Sequence, residues 1–220
     1  MARRFFLPLI ALLVLIPFPS TASAEILLWE DFEDGVADGF VEIDPYWSVL
    51  DGAYRCYVYG ANTFTLSAAG DGTWSDYSVD CDIRASGSIN QVVAFRLQDR
   101  HNFYDLNLRA DPYNDVVLSK VVGGSDAWNR FAPLPNTIGE WHHLHVSCEG
   151  NRIKVGIDGE SLFDHYDETN PYLVGGIAVA GYAGGSIPLQ IAWYDNVLVE
   201  GVAPIATSES SWDHVKSLYR

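Results

Sequence analysis

Residues 91–109 read Gln91-Val92-Val93-Ala94-Phe95-Arg96-Leu97-Gln98-Asp99-Arg100-His101-Asn102-Phe103-Tyr104-Asp105-Leu106-Asn107-Leu108-Arg109, and this stretch decides the fold. Two runs rich in β-branched and aromatic residues, Gln91 to Asp99 and Asn102 to Arg109, flank the polar pair Arg100-His101, which is the layout of a hairpin. Within each run the side chains alternate. Val93, Phe95 and Leu97 take one face, and Tyr104, Leu106 and Leu108 continue it on the second strand. Arg96, Gln98, Asp105, Asn107 and Arg109 are thereby sent to the opposite face.

The pattern extends in both directions. Strands are expected at Ala53 to Tyr59, Tyr77 to Ala85, Asp115 to Val121, Trp141 to Cys148, Arg152 to Ile157, Val174 to Ala180 and Ile191 to Val199. Turn chemistry separates them, at Asp51-Gly52, Asp71-Gly72, Gly123-Gly124, Glu149-Gly150-Asn151, Asp158-Gly159 and Gly184-Gly185. No helical periodicity appears before the last ten residues. The expected fold is all-β, one antiparallel two-sheet jelly-roll sandwich over residues 25–201.

Outside that domain the two ends differ in kind. Residues 1–24 have the layout of a secretory signal: Arg3 and Arg4, an apolar run from Phe5 to Phe18, and a small-residue exit at Ala22-Ser23-Ala24. The run, bracketed by Pro8 and Pro17, is too short to span about 30 Å of hydrocarbon. No transmembrane segment is therefore expected after processing. The expected location is secreted, extracellular or at the cell surface, with the periplasm as the alternative compartment. Residues 202–220 form a small, polar, proline-bearing linker and then Ser211-Trp212-Asp213-His214-Val215-Lys216-Ser217-Leu218-Tyr219-Arg220. A short C-terminal helix capped by Ser211 is expected there, with Trp212, Val215 and Tyr219 spaced to share one face. The tail resembles short sorting tags of secreted bacterial proteins, which implies an envelope or sorting partner.

Loss of the signal removes two arginines and no acids, so the net charge of -16 becomes -18, with 11 basic against 29 acidic residues. A protein that tracks phosphates needs a basic stripe, so nucleic acid is excluded as a partner. The three cysteines, Cys56, Cys81 and Cys148, allow three pairings. Alternation puts Cys81 and Cys148 on core faces, which favours a bridge between them, contributing on the order of 4 kcal/mol; the competing reading is three buried thiols.

The order of motifs carries a resemblance over almost the whole domain. Asp31-Phe32-Glu33-Asp34-Gly35, Trp47-Ser48-Val49-Leu50-Asp51-Gly52-Ala53-Tyr54, Trp74-Ser75-Asp76-Tyr77-Ser78-Val79, and Phe95 to Asp99 through Asn102-Phe103-Tyr104 resemble the concanavalin A-like lectin and glucanase superfamily. Lys120-Val121-Val122-Gly123-Gly124, Trp141-His142-His143-Leu144, Ile153 to Gly159 and Tyr194 to Val199 look like its laminin G-like branch, which shares strand order with 3-keto-disaccharide hydrolases. The resemblance implies two packed sheets with ligands on a concave face or its rim. Its members include lectins, glycosidases, sugar-eliminating enzymes and adhesion modules, so fold alone does not give function.

Three constellations compete for a site. Planar polar groups suit vicinal sugar hydroxyls, so Arg96, Gln98, Asp105, Asn107 and Arg109 make an expected glycan-binding face, with Trp128 and Tyr113 in flanking loops to stack on sugar rings. A solvated face with cross-strand ion pairs is the plainer reading of the same residues. The resemblance also implies a structural Ca2+ near the termini, held by Asp31, Glu33, Asp34 and Asp195. His143 and His145 share a strand face but lack a third ligand for zinc. The acid pair of retaining glucanases has its nearest match at Glu42-Ile43-Asp44-Pro45, which lacks the final Glu and reads as a loop. The expected function is non-catalytic binding of an extracellular glycan or surface adhesion, with a 3-keto-disaccharide hydrolase or an envelope structural protein as alternatives.

Overall fold

The computed structural model describes residues 25–60, 62–135, 138–185 and 187–201. Residues 1–24, where a signal is expected, and residues 202–220, where a helical tail is expected, lie outside them. The described residues form strands and no helix: β1 Glu25–Glu30, β2 Phe40–Glu42, β3 Trp47–Leu50, β4 Ala53–Gly60, β5 Thr63–Ala69, β6 Tyr77–Ala85, β7 Asn90–Asp99, β8 Asn102–Arg109, β9 Asp115–Val122, β10 Ser125–Pro133, β11 His142–Glu149, β12 Arg152–Ile157, β13 Glu160–Tyr166, β14 Gly176–Ala183 and β15 Ile187–Gly201. One sheet runs β13-β12-β11-β6-β15-β4-β3, with β1 also on β15; the other runs β10-β9-β8-β7-β14-β5-β2. Every pairing is antiparallel.

Alternation places the main core between the sheets. On β6 each odd-numbered residue from Tyr77 to Ala85 is buried and each even-numbered one is half-buried. Tyr54, Phe95, Tyr104, Leu106, Val146 and Ile157 meet in the same core. A second apolar cluster lies on the outer face of the seven-stranded sheet. Ala68, Ala94, Ala178 and Ala180 line it with Leu66 and Val92, and Val41, Ile43, Phe64 and Tyr182 pack against it. The central strands of this sheet are therefore buried on both faces, and the polar part of the outer face is displaced towards β8, β9 and β10.

Arg96 departs from the alternation expected for the hairpin. Cross-strand pairing stops at Phe95 opposite Tyr104 and resumes at Asp99 opposite Asn102, so β7 carries a bulge, and Arg96 sits in it with a φ of 49°. The bulge reverses the faces. Leu97 joins the outer apolar cluster, while Arg96, 1% exposed, turns inward and donates to the Tyr172 carbonyl at 3.1 Å and to Asp76 at 3.3 Å. Gln98 follows it, donating to the carbonyls of Arg96 and Val174.

Gly175 is the residue that lets this bulge close. At φ +144° it lies so near the opposite backbone that a Cβ would stand 2.3 Å from the Arg96 carbonyl carbon and 2.6 Å from the Leu97 nitrogen. Backbone atoms cannot rotate away. Gly175→Ala is expected to lower stability by roughly 2 kcal/mol or more in urea denaturation; a loss below about 0.5 kcal/mol would show that the bulge relaxes freely.

The bridge expected between Cys81 and Cys148 does not form. Cys81 stands opposite Leu144 and Cys148 opposite Tyr77, four residues along the same ladder. At about 3.3 Å per residue that offset is roughly 13 Å, far beyond what a disulfide spans. All three cysteines are buried free thiols, and burial pushes Cys56 and Cys148 up to about 12. They pack as small apolar groups on the core face of the eight-stranded sheet.

Candidate functional site

A cavity of about 490 Å³ opens on the outer face of the seven-stranded sheet. Its floor comes from alternate residues of β8 and β9: Phe103, Asp105, Asn107 and Arg109 from one, Val117, Ser119 and Val121 from the other. Asp126, Asn129 and Phe131 of β10 make one wall, and Asn90, Tyr182 and Phe64 make the opposite one. Arg100, His101 and Gly124 stand at the end, where the β7–β8 and β9–β10 turns meet through the Gly124 N–H and the His101 carbonyl.

Arg109 is held in one orientation. Its Nε and Nη2 donate to the two carboxylate oxygens of Asp115 at 2.7 and 2.5 Å, and the Tyr113 ring lies 4.3 Å from the guanidinium. A planar fork fixed in this way offers its remaining donors without further loss of side-chain freedom.

Asp105 is the unusual group of the floor. It is 7% exposed, and its Oδ1 is buried with no hydrogen-bond partner among the described residues. Burial pushes its carboxyl up to about 7; Asn107 and Ser119 pull the other way, and Asp126 adds to the rise. A buried acceptor left unmatched costs about 1–3 kcal/mol, so the site gains when a donor arrives.

The structure brings together Asp105, Asn107 and Arg109 of the expected binding face, with Tyr113 over Arg109. It does not bring Arg96 or Gln98, which the bulge turns away. Trp128 is also displaced: it belongs to β10, not to a loop, and a register shift after Asp126 points its ring inward. There it packs on Tyr104 and His165, at centroid distances of 6.0 and 4.6 Å. Asn129 and Phe131 take the pocket face in its place. Alternation could have placed Ser119 on the floor, but no sequence signal marked β5 or β10 as strands.

The other constellations have local partners. Asp31 accepts from the Glu33 N–H, Asp34 from the Val36 N–H and Asp195 from the Asn196 N–H. Burial raises the Asp195 carboxyl, with Asp82, Glu33 and Asp31 adding to the rise, so these acids share one end of the sheet. Among the described residues no group of three or more His, Cys, Asp or Glu side chains converges in a metal-holding cluster. His143 and His145 face Asp82 and Asp80 directly across β6, and His142 pairs with Asp158. Asp44 accepts from the Leu66 N–H and pairs with Arg100 at 2.6 Å, and Glu42, expected in a loop, ends strand β2.

Comparison with known proteins agrees with this architecture. No curated protein matches the chain by sequence. Among solved structures, carbohydrate-binding module CBM66 from Bacillus subtilis superposes with a TM-score of 0.64 at 20% identity, covering 74% of this chain and 96% of that one. A prokaryotic β-1,3-1,4-glucanase (lichenase) derived from a mouse hindgut metagenome gives 0.61 at 13% identity, covering 80% and 99%. The β-glucanase of Bacillus licheniformis gives 0.56 at 13%, covering 79% and 96%. These likenesses show the concanavalin A-like sandwich. The profile of one family matches residues 29–200, nearly the whole described domain. By that match the chain belongs to the 3-keto-alpha-glucoside-1,2-lyase-like domain family.

Proposed function

We propose that the protein is a secreted carbohydrate-binding domain that holds one or two sugar rings in the cavity over β8 and β9. The observation that carries this reading is the floor itself, where the unmatched Asp105 acceptor, the Asn107 amide and the oriented Arg109 fork stand side by side under the Phe131 and Tyr182 rings. Vicinal hydroxyls donate and accept at adjacent positions, which is what such a row offers. The cavity has the size of a small-ligand site. CBM66, whose name states carbohydrate binding, shares the fold and supports the reading. The leader-like N-terminus suits a ligand outside the cell.

Asn107→Ala and Arg109→Ala are expected to leave the far-ultraviolet spectrum unchanged and to weaken retention on a glycan array by roughly 10-fold each. Retention equal to wild type in both variants would remove the site from this floor.

One observation favours a second reading, an eliminating enzyme. A carboxyl with its pKa near 7 is matched to proton abstraction at neutral pH. In a 3-keto-glucoside the ketone acidifies the proton on C2. Asp105 would take that proton as the C1–O bond breaks with its electron pair, forming a C1–C2 double bond and releasing the alcohol once it is protonated. Arg109 would face the oxygen that gains charge. Incubation with an oxidised disaccharide such as 3-keto-trehalose, followed by product analysis, tests it; no product at high protein concentration would leave binding alone.

A further inference from the structure

The outer face of the other sheet carries a second, differently built surface. Across β4, β15 and β6 the register sets Arg55 opposite Trp193 and Trp193 opposite Arg84. Trp141 follows, one residue before the pair formed by His142 and Ile83. The Arg84 guanidinium lies 4.4 Å from the Trp193 ring and 4.7 Å from the Trp141 ring, sandwiched between them. Arg55 lies 5.0 Å from Tyr57, two residues along its own strand on the same face. The result is a row of alternating aromatic rings and guanidinium groups.

Charge makes this row informative. The chain is strongly acidic, and Arg96, Arg100, Arg109 and Arg152 each have an aspartate partner. Among the described residues the Arg84 side chain has neither an acid partner nor a hydrogen bond, Arg55 donates only to the Ser48 hydroxyl at 3.1 Å, and the exposed Arg130 likewise has no acid partner, donating to the Asn129 carbonyl. The Arg84 Nε is buried between the rings, so its Nη groups form the edge available to a ligand. In a chain with a large excess of carboxylates, two neighbouring arginines held against aromatic rings without one point to a carboxylate that arrives from outside.

We propose that this row is a second binding site, for a linear polysaccharide bearing carboxylates. Pyranose rings would pack on the parts of Trp193 and Trp141 that the Arg84 guanidinium leaves uncovered, and uronate groups would meet the guanidinium edges. Arg55 and Arg84 are two strands apart, about 10 Å, close to the span of two sugar rings. The protein's overall negative charge opposes a polyanion only weakly at physiological salt, because the screening length there is about 8 Å. The site is on the opposite side of the sandwich from the cavity and does not depend on it.

Affinity electrophoresis of the full chain through polygalacturonate, and through the same polymer with its carboxylates methyl-esterified, tests the proposal. Wild type should be retarded by the acid form, with apparent affinity at least about 10-fold weaker for the ester, for Arg84→Gln and for Trp193→Ala. Arg84→Lys, which keeps the charge but cannot lie flat between two rings, should fall between. Arg55→Gln serves where an Arg84 variant fails to fold. Asn107→Ala should behave as wild type, which separates this surface from the cavity. No retardation of wild type, equal retardation by the ester, or equal retardation of folded Arg84→Gln would each overturn it.

Discussion

Lys120→Met is expected to destabilise the fold by about 3–5 kcal/mol. Lys120 and Asp167 are each 3% exposed, and the ammonium donates to the Asp167 carboxylate at 2.6 Å and to the carbonyls of Thr169 and Asn170 at 2.7 and 2.8 Å. All three donors are used. The carboxylate also accepts from the Tyr104 hydroxyl at 2.6 Å and from the Thr169 N–H at 3.0 Å, and the Tyr104 oxygen accepts from the Tyr172 N–H. This network ties the segment after β13 to the interior of the other sheet. Removing Lys120 leaves a buried carboxylate without its cation, which is the costly way to break such a pair.

The sign with pH follows from Asp167. Burial pushes its carboxyl up, but Lys120, Tyr104 and the Thr169 N–H outweigh that and hold it below the usual range. A depressed carboxyl contributes stability that is present above about pH 4 and is lost as pH falls through its folded value. Lys120→Met should therefore cost most at neutral pH and progressively less in acid. Urea denaturation of Lys120→Met, Asp167→Asn and the double variant checks both points. Coupling below about 1 kcal/mol would mean that the pair is solvated and does not hold the loop.

Much of the scaffold could be read from residue alternation because most strands bury one face. The hairpin of β7 and β8, the ladder of β6 and β11, and the long β15 all show apolar residues at every second position. β1, β2, β3, β5, β10 and β13 escaped it, and the two of these that line the cavity, β5 and β10, did so for opposite reasons. β5, with Ala68 and Ala69 among small residues, has too little contrast between its faces, and β10 is an edge strand whose Ser125, Asp126 and Ala127 are exposed. The site was legible only where alternation continued unbroken. Asp105, Asn107 and Arg109 lie on β8, which has no bulge. Arg96 and Trp128 lie at register shifts, and a shift of one residue moves a side chain to the other face of a sheet. The clue to the first bulge was distant in sequence, since it depends on Gly175 meeting the Arg96 backbone.

Asp105→Asn is expected to stabilise the protein at pH 8 by on the order of 2–4 kcal/mol and to gain nothing near pH 4. Burial raises the carboxyl to about 7 in the folded chain, against about 3.9 when unfolded. A raised carboxyl favours folding fully below its unfolded value, and that advantage is lost as pH rises through its folded value. Wild-type stability should thus fall between about pH 4 and pH 7 from this one group, by up to about 4 kcal/mol at 1.36 kcal/mol per unit. Asparagine does not titrate, so the difference between the two proteins should trace the Asp105 curve. Denaturation midpoints at half-unit steps of pH measure it, and a difference independent of pH would show that water reaches Oδ1.

The same variant separates the two readings of the cavity. A neutral sugar that donates a hydroxyl to Oδ1 should bind more tightly as pH rises from 6 to 8, because an ionised acceptor makes the stronger bond. Asp105→Asn should weaken that binding and flatten its pH profile. An eliminating enzyme behaves differently, because an amide cannot take the proton from C2 while the neighbouring Asn107 and Arg109 still hold the substrate. Turnover would then vanish while binding persisted. Loss of affinity without any turnover in the wild type assigns Asp105 to recognition, and loss of turnover with affinity retained assigns it to catalysis.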